Sequence, residues 1–167
     1  MTFVRHRPRF GRRLARVQER GYRRLMRISD VIRRKGDLVV TVRSDATVQR
    51  LLEVLEEHRI GAVVVSDDGS TVSGIVSERD VVRHLRNAGA GVLDQLVATI
   101  MTSEVHTCTP EDLIEDLART MTDLRIRHVP VVVGGQLRAI VSIGDIVKWR
   151  IDELLTERDH LVDYIRQ

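Results

Sequence analysis

Gly74-Ile75-Val76-Ser77-Glu78-Arg79-Asp80 returns 65 residues later as Ala139-Ile140-Val141-Ser142-Ile143-Gly144-Asp145. In each copy a small residue and two β-branched ones predict a short buried strand, and Ser-x-x-Asp predicts the opening of a helix. A stretch that recurs at a fixed interval marks a duplicated unit. Upstream, Thr41-Val42-Arg43-Ser44-Asp45 aligns with Thr107-Cys108-Thr109-Pro110-Glu111 at an offset of 66. At that offset Val48, Leu51, Leu52 and Leu55 meet Ile114, Leu117, Ala118 and Met121. Both sets follow the i, i+3, i+4, i+7 stripe of a helix lying on a sheet.

Arg59-Ile60 then matches Arg125-Ile126, and Val63-Val64-Val65 matches Val129-Pro130-Val131 as a short buried strand. Hairpins follow, Asp67-Asp68-Gly69-Ser70 in one copy and Gly134-Gly135 in the other. The single deletion falls there, in a turn. Each unit therefore predicts strand, helix, strand, hairpin, strand, helix, with a right-handed first crossover and a small mixed sheet. Pro130 predicts an edge or strand-start position. A unit of about 60 residues buries little core alone, so two should pack together.

The fold class expected is α/β (α+β): tandem β-α-β-β-α repeats around a pseudo-twofold axis, with a long C-terminal helix. The divisions are an arginine-rich tail at 1–27, a first repeat at 28–86, a linker at 87–96, a second repeat at 97–150, and a helix at 145–167 that overlaps its end. Asn87-Ala88-Gly89-Ala90-Gly91 is the joint. In the final helix Val147, Ile151, Leu154, Leu161 and Ile165 repeat in 4-3 spacing. That stripe serves either a dimer seam or packing back onto its own sheet.

The 167 residues contain only five aromatics, so the core must be aliphatic. One cysteine, Cys108, excludes an internal disulfide framework. No apolar run reaches bilayer length and no signal-peptide leader is read, so a soluble cytoplasmic protein is expected. The net charge of +3 hides an asymmetry. Residues 1 to 27 carry ten arginines against Glu19, and the remainder is mildly acidic. The tail has three functional readings: a nucleic-acid arm, an anionic-membrane contact, or an organelle-targeting peptide. The plainer reading is an extension ahead of Met26, in an arginine-rich chain with only two lysines.

The duplicated openings Val40-Thr41-Val42 and His106-Thr107-Cys108, the paired strands and the two Gly/Ala-h-h-Ser-x-x-Asp segments resemble the cystathionine-beta-synthase (CBS) domain pair, or Bateman module, from about Ser29 to Glu153. The resemblance implies binding of AMP, ADP, ATP, NAD or S-adenosylmethionine in clefts between the units. It also implies a flat, disc-shaped homodimer that regulates another, unnamed protein. An adenine nucleotide would be a regulatory ligand, not a required cofactor.

The residues themselves allow such a ligand. Ser77 and Ser142 open helices, whose N-termini favour phosphate. Asp80 and Asp145 stand three residues on, where a carboxylate accepts both hydroxyls of a ribose. Val63, or Val129 with Pro130, and the strands at Thr41 and Thr107 offer an apolar slot for the base. Ser-x-x-Asp is equally a helix cap that needs no ligand, and both roles are compatible. In the second unit Arg127 and His128 match positions that the resemblance places on the phosphate. The first unit has Gly61 and Ala62 there, with Arg59 close by. The second site is therefore expected to bind more tightly, although Ala139 replaces the family's usual glycine and narrows the approach.

Arg127 and His128 could also be a solvated strand-edge pair. The six histidines show no metal-ligand spacing, and Cys108 is expected as a buried small hydrophobe. No nucleophile, phosphate-loop or dinucleotide motif is read, so no enzyme is expected. Two other classes stay open: a ligand-free structural dimer, and a nucleic-acid-associated protein acting through the tail.

Overall fold

A computed structural model describes residues 26–36 and 39–166. Expectations about the arginine-rich tail thus lie outside the described residues, apart from Met26 and Arg27. The element order is α1 (Ile28–Lys35), β1 (Thr41–Val42), α2 (Val48–His58), β2 (Ala62–Val65), β3 (Gly74–Ser77), α3 (Glu78–Ala88), two 3₁₀ turns (Gly89–Asp94 and Val97–Thr99), α4 (Ile114–Asp123), β4 (His128–Val133), β5 (Gln136–Ser142) and α5 (Ile143–Ile165).

The duplication is realised in space. In the first unit β1 pairs parallel with β2, and β2 pairs antiparallel with β3. In the second, Cys108 forms a parallel bridge to Val131, and β4 pairs antiparallel with β5. Thr47 caps α2 by accepting the Arg50 amide at 3.2 Å. Val48, Leu51, Val54 and Leu55 then turn one face of α2 inward. Full burial of such side chains stabilises by roughly 1.5–3 kcal/mol each. Gly134 and Gly135, at φ +59° and +80°, make the two-residue hairpin between β4 and β5. In the first unit the Asp68 carboxylate orders the longer turn, accepting from the Ser70 and Thr71 amides at 2.8 and 2.7 Å.

Each core is completed by the segment that precedes the other unit. The Ile28 amide donates to the Asp112 carbonyl at 2.9 Å, and the Val97 amide donates to Ala46 at 2.8 Å. These contacts are equivalent under the repeat. Accordingly Ile28 and Val31 pack with Cys108, Ile114, Val129 and Trp149, whereas Val97 and Ile100 pack with Val48, Leu51, Val63 and Val76. The helix that opens the chain's first repeat so belongs to the second core.

One feature differs from expectation, and one open alternative is decided. Pro130 is the third of six residues in β4, which has β5 on one side and Cys108 on the other. Its carbonyl accepts from the Cys108 amide at 3.0 Å. A strand residue's N–H and C=O point the same way, so the missing donor faces the side where pairing lasts a single bridge. No bond to β5 is lost. In α5, Ile146 and Trp149 enter the core, whereas Val147, Ile151, Leu154, Leu161 and Ile165 stay exposed. The 4-3 stripe does not fold back onto the sheet.

Candidate functional site

Both Ser-x-x-Asp segments are the joints between a last strand and its helix. Ser77 and Ser142 are N-caps with extended backbone, and Asp80 and Asp145 occupy the third helical position. The Asp80 Oδ2 accepts from the Ser77 amide at 2.9 Å and its hydroxyl at 2.6 Å. The Asp145 Oδ2 accepts from the Ser142 amide at 2.8 Å and its hydroxyl at 2.7 Å. The helix-capping role is therefore realised in both units. Each helix start is tied equivalently to the residue just ahead of the unit's central strand: the Glu78 amide donates to the Gly61 carbonyl before β2, and the Ile143 amide to the Arg127 carbonyl before β4.

The surroundings of the two carboxylates differ. A cavity of about 620 Å³ opens beside the first motif. Its lining includes Ser77 and Asp80 from the β3–α3 joint, Arg83 one turn on, and Arg125, Arg127 and His128 from the other unit. Arg79, Glu78, Glu104 and His106 also reach it, so guanidinium groups outnumber carboxylates. The N-terminus of α3 faces this space, and the positive end of its dipole adds to the field there. Arg127 and His128, grouped by sequence with Asp145, thus share the cavity of Asp80. A strand from one unit and a helix start from the other meet across the pseudo-twofold, which local spacing does not reveal.

The second carboxylate carries a further partner. The Lys35 ammonium, at the end of α1, donates to Asp145 Oδ2 at 2.8 Å and to the Ile140 carbonyl at 3.2 Å. Burial pushes the Asp145 pKa up, but the Lys35 and Ser142 hydrogen bonds outweigh it and hold it below its ordinary value. His128 is held below the ordinary imidazole value by burial first and by the Lys35 charge second, with Asp145 and Glu78 opposing. The neutral ring is favoured. Burial, with Asp112 nearby, pushes the Cys108 thiol up to about 12, so it carries no thiolate at neutral pH.

The remaining expected residues sit elsewhere. Val63, Val129 and Pro130 are buried strand residues, and Val63 and Val129 belong to the two cores. Thr41 pairs with Val64, and Thr107 is exposed beside the Cys108 bridge. Arg59 ends α2 in the left-handed region at φ +53°, and Arg125 holds the same place after α4 at φ +55°. Neither Arg59 nor Thr41 is among the lining residues of the cavity, whereas Arg125 is. Sequence reasoning passed over Arg83, Arg125 and Lys35. The alignment of Arg125 with Arg59 was a usable signal for the second of these; Lys35 had none.

Gly74 acquires a different explanation from the ligand approach expected of it. A Cβ there would lie 2.6 Å from the Met101 sulfur and 3.0 Å from the Thr102 carbonyl oxygen. The glycine admits the Met101-Thr102 segment, in which Thr102 forms an antiparallel bridge to Ile75. Among the described residues no helix is long and apolar enough to cross a membrane.

The comparisons agree with this architecture. The family model for the CBS domain matches residues 28–87 and 97–152. The mitochondrial CBS domain-containing protein CBSX3 of Arabidopsis thaliana is 34% identical over 160 residues, covering 91% of this chain and 77% of its own. The crystal structure of the CBS-domain containing protein ATU1752 from Agrobacterium tumefaciens is 42% identical, with a TM-score of 0.73 over 75% of this chain and 99% of that one. The CBS domain pair of MJ0100, solved in complex with 5′-methylthioadenosine and S-adenosyl-L-methionine, shares the fold at 21% identity and a TM-score of 0.69, over 77% and 98% of the two chains. Two matched repeats, each with its own sheet and its Ser-x-x-Asp helix opening, place this chain in the CBS-domain family.

Proposed function

We propose that this CBS-domain pair is a non-enzymatic regulatory module that binds an adenine nucleotide (AMP, ADP, ATP or NAD) and signals by a change in the arrangement of its units. The observation that carries the reading is the cavity of about 620 Å³ that joins Asp80 and the α3 N-terminus to Arg125, Arg127 and His128. Its size falls within the range of small-molecule sites. A carboxylate for ribose hydroxyls, with guanidinium groups and a helix N-terminus for phosphate, is the donor and acceptor set of a nucleoside phosphate. Support also comes from the fold neighbour MJ0100, whose domain pair was crystallised with two adenosine compounds. Ligand that bridges a helix start of one unit and a strand of the other favours one relative placement of the two, which is population shift.

The geometry favours the Asp80 cleft as the principal site, the reverse of the ranking expected from sequence. Asp80→Asn should weaken AMP or ATP binding at least tenfold in isothermal titration calorimetry, and Asp145→Asn should weaken it less. No heat with AMP, ADP, ATP or NAD at millimolar concentration would end the nucleotide reading. A homodimer is proposed alongside it, on the strength of the exposed apolar side chains Val82, Val147, Ile151 and Leu154 on α3 and α5. Dimerisation without a ligand is the second reading, and those same side chains favour it.

A further inference from the structure

We propose that Lys35 occupies the ribose position of the second cleft and so determines which of the two clefts takes nucleotide. The inference rests on the nucleotide reading above and adds a rule of occupancy to it. Asp145 Oδ2 accepts three donors, the Ser142 amide, the Ser142 hydroxyl and the Lys35 ammonium, whereas among the described residues Asp80 Oδ2 accepts two, both from Ser77. The nearest cation to Asp80, Arg83, stands 3.7 Å from the other oxygen. A ribose hydroxyl is a neutral donor and must compete at Asp145 with an ammonium that already makes a charge-assisted bond.

The same lysine repairs the backbone of the second unit. In the first, the Ile75 carbonyl accepts from the Thr102 amide at 2.9 Å. The equivalent carbonyl, Ile140, accepts from Lys35 Nζ. The difference has a source in the chain. Ile28 and Val97 make equivalent bonds at an offset of 69, whereas Thr41 and Thr107 correspond at 66. Three additional residues therefore lie between Ile28 and Thr41, and they let α1 run on to Lys35 where the first unit has the Ile75–Thr102 bridge. At that place the first unit ends in Glu104, a carboxylate that lines the open cavity and cannot bond Asp80.

The cavities follow this asymmetry. The large one includes Ser77 and Asp80; a second, of about 400 Å³ between α1 and β5, is lined by Ser29, Ile32, Arg33, Pro110, Leu137 and Arg138. Ser142 and Asp145 line neither of these two. The Lys35 side chain remains 40% exposed, so it is free to withdraw into water. At Asp145 the group in place is thus a partly exposed ammonium of the chain itself.

The test is calorimetric titration of the full chain with AMP and, separately, ATP. Wild type should bind one nucleotide per chain, and Lys35→Ala should bind two, or bind the second at least tenfold more tightly. Lys35→Arg should keep the wild-type stoichiometry. In the Lys35→Ala background, Asp80→Asn should leave one site, and adding Asp145→Asn should remove it. Lys35→Gln provides the same comparison if circular dichroism shows that the alanine variant is unfolded. One site in wild type with one or none in both neutral variants overturns the proposal, a loss meaning that Lys35 grips phosphate instead. Binding to no variant, wild type included, overturns the nucleotide reading and this inference together.

Discussion

Gly74 is where the two units are least interchangeable, and Gly74→Ala measures why. The added Cβ would sit 2.6 Å from the Met101 sulfur, 3.2 Å from its Cγ and 3.0 Å from the Thr102 carbonyl oxygen. The thioether is flexible and can swing aside. The carbonyl cannot do so freely, because it accepts the Ile75 amide at 2.9 Å while Thr102 donates back to Ile75 at the same distance. Either the bridge lengthens or the Met101-Thr102 segment shifts by a few tenths of an ångström. Overpacking of this kind costs about 1–3 kcal/mol. For a chain of this size 1 kcal/mol moves Tm by about 2–4 °C, so thermal denaturation should register a fall of roughly 2–12 °C. The control is Ala139→Gly, which deletes one buried methyl and frees the backbone, at about 1 kcal/mol. Nucleotide affinity should change little in either variant, because the crowding is against Met101 and Thr102. A Gly74→Ala protein with unchanged Tm and weakened nucleotide binding would refute the packing explanation and restore the ligand-approach one.

Arg59 and Arg125 both hold left-handed conformations that favour glycine by about 1 kcal/mol or more. Arg59→Gly should raise Tm by a few degrees and leave nucleotide binding intact, whereas Arg125→Gly should raise Tm and weaken binding; weakening by both would place Arg59 in the site. Asp145 has a folded pKa below its unfolded value of about 3.9. Its stabilisation is thus complete above about pH 4 and lost as pH falls through the folded value. Urea titrations should accordingly show the stability gap between wild type and Lys35→Ala constant above about pH 4 and closing as pH falls further, and a gap independent of pH would count against the ion pair. Aspartates at Leu154 and Leu161, which are 47% and 64% exposed, should halve the mass seen by light scattering while helicity persists. A wild-type chain already monomeric at high concentration would remove the seam.

The repeat, the order of elements from the first strand of each unit onward and the starts of the helices that follow were determined by the sequence itself, because each depends on neighbours within one turn or one strand. The stripes of α2 and α4, the Ser77 and Ser142 caps and the Gly134-Gly135 hairpin are local choices, and local patterns express them. What crosses between the units was decided only by tertiary structure. The docking of α1 on the second core, the gathering of Arg127 and His128 around Asp80, and the Lys35 ammonium on Asp145, 110 residues away, are such contacts. They arise because neither unit buries enough surface alone, so each borrows its lid from the segment ahead of the other. Residues joined by that exchange share a cleft without sharing a periodicity, and no spacing along the chain records them.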